Sequence, residues 1–124
     1  VMRGIRGATT VKENDAESIW EETRKCLEEM VTENNVLPSD VAHIWFTVTE
    51  EINAAFPAKA TRMLESEEWK YVPVMCATEI PVPSGLKRCI RIMMTVNTDV
   101  PASEIVHVFH NEAIQLRPDL AQKD

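Results

Sequence analysis

Glycine is scarce in this chain, three residues in 124, and the scarcity argues against the glycine-rich cradles that hold phosphate groups. Neither a P-loop nor a Gly-x-Gly-x-x-Gly turn is present. The G-x-S-x-G nucleophile elbow is missing too. Cysteine is sparse and odd in number: Cys26, Cys76 and Cys89 show no CxxC spacing, suit neither a disulfide framework nor a zinc cage, and are read as free thiols. His43, His107 and His110 stand outside any HExxH or paired-cysteine pattern, so no metal site is expected. No apolar run approaches the roughly 18 residues of a membrane span, and the opening VMRGIRGATT lacks a signal-peptide apolar region. No membrane partner and a cytoplasmic location are expected. Positive charge is in deficit, 13 basic against 20 acidic residues for a net charge of −7, which repels phosphate backbones and makes nucleic acid an unexpected partner. An anionic substrate would need local arginines.

What is present is an ordinary globular composition, 44% hydrophobic and 27% charged, from which a single domain over residues 1–124 is expected. Arg3 to Val11 reads as a strand, with Arg3, Ile5 and Gly7 on one face and Gly4, Arg6 and Ala8 on the other, where small neighbours leave space beside Arg6. From Asn14 the period changes, and Ile19, Trp20, Thr23, Leu27, Met30 and Val31 recur at three- and four-residue steps. That predicts a long amphipathic helix, opened by an Asn14–Glu17 capping box and stopped by Asn34-Asn35 before Pro38. Pro38-Ser39-Asp40 predicts a turn or short helix leading into Val41 to Val48, an apolar run expected to be a strand buried on both sides.

Pro57 suits the first turn of a short helix within Asn53 to Leu64, and Pro73 marks the strand Tyr71 to Ala77 as an edge or as the end of ladder pairing. Pro81 to Gly85 is a loop, Lys87 to Thr98 a long strand, and Ile105 to Phe109 with Ala113 to Leu116 are expected as last edge pieces. This order predicts an α+β fold, a mixed β-sheet with helices on one face. The uncovered face calls for sheet packing against sheet in a closed homo-oligomer.

Charges inside apolar strands are the informative chemistry. Arg91 lies within Cys89-Ile90-Arg91-Ile92-Met93-Met94, sharing a face with Cys89 and Met93. A guanidinium there demands an anion, either a structural carboxylate or a ligand. Glu79 follows its strand by two residues, a position that suits either a solvated loop acid or a site at a strand end. Cys76 reads as a small strand thiol; covalent catalysis would require a histidine base or a lowered pKa.

Several blocks together resemble the trimeric α/β chorismate mutases: Arg3 to Val11, Phe56-Pro57-Ala58-Lys59-Ala60, Tyr71-Val72-Pro73-Val74 with Cys76 and Glu79, Gly85 to Arg91, Met93 to Val96, and Leu116-Arg117-Pro118-Asp119. The resemblance runs in order from Met2 to about Leu120. It implies a chorismate-mutase-like sheet of ferredoxin-like topology that closes as a pseudo α/β-barrel homotrimer, with each active site between two subunits. It implies further that Arg6, Cys76, Glu79, Arg91 and Phe109 line one wall, while Phe56, Ala58, Lys59 and Arg62 come from the neighbour. Val74, Met75 and Leu116 would add apolar or backbone contacts, and Ala77 and Thr78 belong to the same binding segment.

The implied reaction is the Claisen rearrangement of chorismate to prephenate in tyrosine and phenylalanine biosynthesis. It needs no cofactor and no covalent intermediate, only fixed charge aimed where charge develops and a pocket that holds the reactive conformer. Arg91 would face the ether oxygen, Arg6 a substrate carboxylate, and Glu79 the ring hydroxyl. Two positions depart from the family pattern: Phe109 stands where a tyrosine is usual, and Met75 where a smaller polar residue is common. Two other readings compete. One is a trimeric enamine or imine deaminase-like protein of the same general fold, which leaves the trio Arg6, Glu79 and Arg91 unexplained. The other is a non-catalytic sensor of small acids, which Phe109 mildly favours. A lid role or a simple surface charge is open for Arg117, and the polar end, residues 121–124, is expected to be mobile.

Overall fold

The computed structural model describes residues 1–116. The expectations for Arg117 and for the polar end fall outside the described residues. Five strands form one mixed sheet: β1 (Met2–Thr10), β2 (Val41–Val48), β3 (Val74–Thr78), β4 (Cys89–Asn97) and β5 (Val108–Phe109), in the order β3-β2-β4-β1-β5. The centre is antiparallel, β4 pairing with both β1 and β2, and each flank adds a parallel partner. Pro73 does precede an edge strand, as a missing ladder donor requires.

One α-helix, α1 (Ala16–Glu33), crosses the sheet and buries Ile19, Thr23, Cys26, Leu27 and Met30. Its N-cap is Asp15, whose Oδ1 accepts the Ser18 N–H at 2.8 Å, in place of the expected Asn14. Asn14 instead accepts the backbone N–H groups of Asn53 and Ala54, tying the start of the helix to the chain beyond β2. The stop is where the asparagines predict it. Asn35 takes a left-handed φ of 51°, Val36 N–H returns to Val31 O at 3.0 Å, and Asn34 Nδ2 donates to Met30 O. Close approach of helix and sheet depends on Gly7, because a Cβ there would lie 2.4 Å from Met30 Sδ and 3.0 Å from Cys26 Sγ.

The helix expected within Asn53 to Leu64 is a 3-10 helix, Pro57–Met63, with proline in its first turn, and another follows at Glu67–Tyr71. The latter takes Tyr71 out of the expected strand, which begins only at Val74. Ala113 to Leu116 is no edge strand either. After β5 the backbone turns left-handed at Asn111, φ 54°, whose Nδ2 donates to Thr10 O and Thr9 Oγ1, and 3-10 helix Asn111–Leu116 docks beside the end of β1.

The run Val41 to Val48 is not buried on both sides. A bulge between Val41 and His43 resets the alternation, so Val41, Ile44 and Phe46 face α1 while His43 and Trp45 are exposed on the far face. The core lies between α1, the 3-10 segments and one sheet face, built on Ile5, Phe46, Ile92, Met94 and Val96. The opposite face has no covering layer among the described residues. Among those residues, no helix is long and apolar enough to cross a membrane.

Candidate active site

Strand register assembles the charged residues on the open face. One cross-strand row runs Ala77, Thr47, Arg91, Ala8, Phe109, and the row beside it runs Met75, Trp45, Met93, Arg6. Side chains in such rows share a sheet face. The small Ala8 separates Arg91 from Phe109, and the Arg6 guanidinium lies over the Phe109 ring at 5.6 Å. The Arg6 backbone N–H donates to His107 Nδ1 at 2.9 Å, which ties this part of β1 to the chain leading into β5.

Glu79 reaches the open face because β3 ends at Thr78 and the Glu79 N–H continues the ladder to Val48 O at 2.8 Å. Two donors converge on one carboxylate oxygen: Arg91 Nη1 at 2.9 Å and Thr47 Oγ1 at 2.6 Å to Glu79 Oε2. Partial burial by itself would raise the Glu79 carboxyl. The Thr47 hydroxyl, the Arg91 charge and the Ile80 backbone N–H outweigh it and hold the carboxyl below its ordinary value. Among the described residues, Arg91 engages Glu79 through Nη1, and Nε and Nη2 carry no other protein bond. The two side chains retain 43% and 20% of their accessible surface, so a ligand can reach a guanidinium and a carboxylate side by side.

The remaining residues named from the sequence gather elsewhere. Cys76 pairs in register with Phe46, which turns it to the helix side, away from Arg91 and Glu79. Strand alternation separates Cys76 from Glu79, three positions along. There Cys76 meets Ala58, whose backbone it bonds, while burial raises its thiol above the usual value. Val74 packs on the same side, and Thr78 follows in register with Val48. Phe56, 76% exposed, sits before the 3-10 helix that carries Ala58, Lys59 and Arg62. Lys59 Nζ lies 4.0 Å from the Trp20 ring centre. Leu116 lines a cavity of about 1220 Å³ with Thr10, Lys12, Lys87 and Arg88 near one end of the sheet. Within one chain the structure thus unites Arg91 with Glu79 and Arg6 with Phe109. It leaves Phe56, Lys59 and Arg62 exposed, with Phe56 and Lys59 beside Trp20 of α1.

Sequence reasoning missed Thr47 and His107. Thr47 was hidden by the reading of β2 as wholly buried; the polar His43 and Thr47, four positions apart, were the available signal for a solvent-facing side. Among the described residues, no three His, Cys, Asp or Glu side chains group closely enough to hold a metal ion.

The family model for chorismate mutase type I matches residues 2–120. The chain is similar to Chorismate mutase AroH of Bacillus subtilis (strain 168), with 48% identity over 121 residues covering 98% of this chain and 94% of that protein. It is also similar to Chorismate mutase AroH of Thermus thermophilus, with 43% identity and 97% of each covered. Among solved structures, a chorismate mutase from Clostridium thermocellum superposes with a TM-score of 0.85 at 47% identity, covering 90% of this chain and 96% of that one.

Proposed function

With the chain belonging to the chorismate mutase type I family, we propose how its own residues perform that family's reaction. The activity is that of an isomerase, the conversion of chorismate to prephenate on the way to the aromatic amino acids. In this rearrangement the ether C–O bond breaks ahead of C–C bond formation, so negative charge grows on the ether oxygen while the ring becomes cation-like. Catalysis then consists of placing opposite charges where they develop, in a site that needs no reorganisation as they form.

Arg91 supplies the positive charge at the ether oxygen, because a guanidinium stays ionised and directs several donors from one plane. Glu79 receives the ring hydroxyl and sets its negative charge near the developing cation. Arg6, steadied over Phe109, holds a substrate carboxylate. The observation that carries this reading is the contact of Arg91 with Glu79 through Nη1, the one protein bond of its guanidinium among the described residues, at 2.9 Å on an accessible face. It prepares both charges while leaving donors of Arg91 for the substrate.

The active unit is a homotrimer in the cytoplasm. A neighbouring subunit completes the pocket with Phe56, Ala58, Lys59 and Arg62, while Val74, Met75 and Cys76 of β3 add apolar or backbone contacts. Ala77, Thr78 and Leu116 complete the binding set. Support comes from the exposure of Phe56 at 76% and of Met75 at 58%, large apolar side chains that a subunit contact would cover.

Decay of chorismate absorbance on adding purified protein, with prephenate formed, tests the activity, and light scattering tests the trimer. Arg91→Ala is expected to lose more than the ~2.7–4 kcal/mol of one oxyanion donor, that is, more than about 10²–10³ in kcat, because a full charge goes with it. A folded Arg91→Ala enzyme with near-normal turnover would sink the assignment. Citrulline at position 91 separates charge from shape; a small loss there would credit hydrogen-bond geometry instead.

A further inference from the structure

We propose that Thr47 is a positioning residue of the active site: its hydroxyl holds the Glu79 carboxylate against collapse onto Arg91. The inference rests on the role given to Glu79 above. Thr47 lies on β2, in register with Arg91 on β4 and with Ala77 on β3, so its side chain sits beside the guanidinium at the centre of the open face. Its Oγ1 donates to Glu79 Oε2 at 2.6 Å, and the same oxygen accepts Arg91 Nη1 at 2.9 Å.

A carboxylate and a guanidinium left alone favour the forked contact of two parallel hydrogen bonds. Such a contact would occupy two arginine donors and mask both charges from the substrate. By claiming Oε2 from the β2 side, Thr47 keeps the pair to a single point of contact, and the other donors of Arg91 stay available. The hydroxyl also favours the ionised carboxylate, in the same direction as the charge of Arg91.

Among the described residues, the other ionisable groups around Glu79 are few. Arg91 and Cys89 come from β4, while Glu50, Glu51 and Lys87 line the adjoining depression. Glu51 is engaged with Thr49 Oγ1 and the Arg88 backbone N–H and does not touch Glu79.

Thr47→Val preserves shape and β-preference while deleting the hydroxyl. Its kcat/KM is expected to fall about tenfold at neutral pH, the scale of one hydrogen bond to a charged group. The acid limb of the pH profile should move upward, because a carboxyl deprived of a donor protonates at higher pH. Thr47→Ser restores the hydroxyl and should return both rate and profile toward the native enzyme. In a Glu79→Gln background, Thr47→Val should add little.

A Thr47→Val enzyme with a native pH profile, alongside a crippled Glu79→Gln enzyme, overturns this inference alone. Full turnover by Glu79→Gln overturns the role of Glu79 and this inference with it. A Thr47→Val rate loss that Thr47→Ser does not recover, with an unmoved acid limb, assigns the effect to packing and also overturns it.

Discussion

The two faces of the sheet follow the same two-residue alternation and end in opposite states. On the α1 side, Ile5, Ile44, Phe46, Ile90, Ile92, Met94 and Val96 are each no more than 3% exposed. On the other side, Trp45, Met75 and Met93 keep 41%, 58% and 42% of their surface in solvent, interleaved with Arg6, Arg91 and Thr47. The first face spends its residues on burial, where apolar area removed from water contributes about 25 cal/mol per Å². The second combines apolar area left for a contact with charges that could not be buried unpaired. One strand therefore buries one set of residues and leaves the other open to solvent.

Paired substitutions on β2 test that division most severely. Phe46→Ala should cost about 3–5 kcal/mol of folding stability in urea titrations, since it removes a fully buried ring and leaves a cavity. Its neighbour on the open face should behave differently. Trp45→Glu is expected to keep the far-ultraviolet circular dichroism and to move the light-scattering mass toward that of one chain. A Trp45→Glu protein of unchanged mass would put the subunit contact elsewhere.

A smaller effect belongs to the thiol beneath the helix. Burial pushes Cys26 up to about 12 from 9.0, and the nearby Glu29 adds to the shift. Since the folded value is the raised one, its contribution is fully present below pH 9 and declines as pH rises toward 12, where the unfolded chain ionises first. Between pH 8 and 10.5 this amounts to about 2 kcal/mol. Cys26→Ala should flatten that part of the stability profile; an unchanged slope assigns the decline to other groups.

The mildest test returns to the open face. Phe109 packs under Arg6 but offers no hydroxyl. Phe109→Tyr should tighten substrate binding by about 0.5–1.5 kcal/mol, read as a lower KM at similar kcat. Unchanged KM would mean that the ring serves Arg6 alone.

Much of this was legible in the sequence. The period from Ile19 to Met30 located α1, Pro57 opened its 3-10 helix, Pro73 announced an edge, and Arg91 among apolar neighbours announced an anionic partner, which is Glu79. What failed had local causes. The bulge after Val41 changed which β2 residues face solvent, and a left-handed Asn111 turned an expected strand into a 3-10 helix.

By itself, then, the sequence determined the layer architecture, the identity of the ionised groups and, through its motif blocks, the family. Side-chain period, proline geometry and the permanent charge of arginine are properties of residues and short segments. Tertiary structure decided that Thr47 would meet Glu79 across 32 positions of chain and that both would meet Arg91. Register across three strands sets those contacts, and a single-residue bulge is enough to change it.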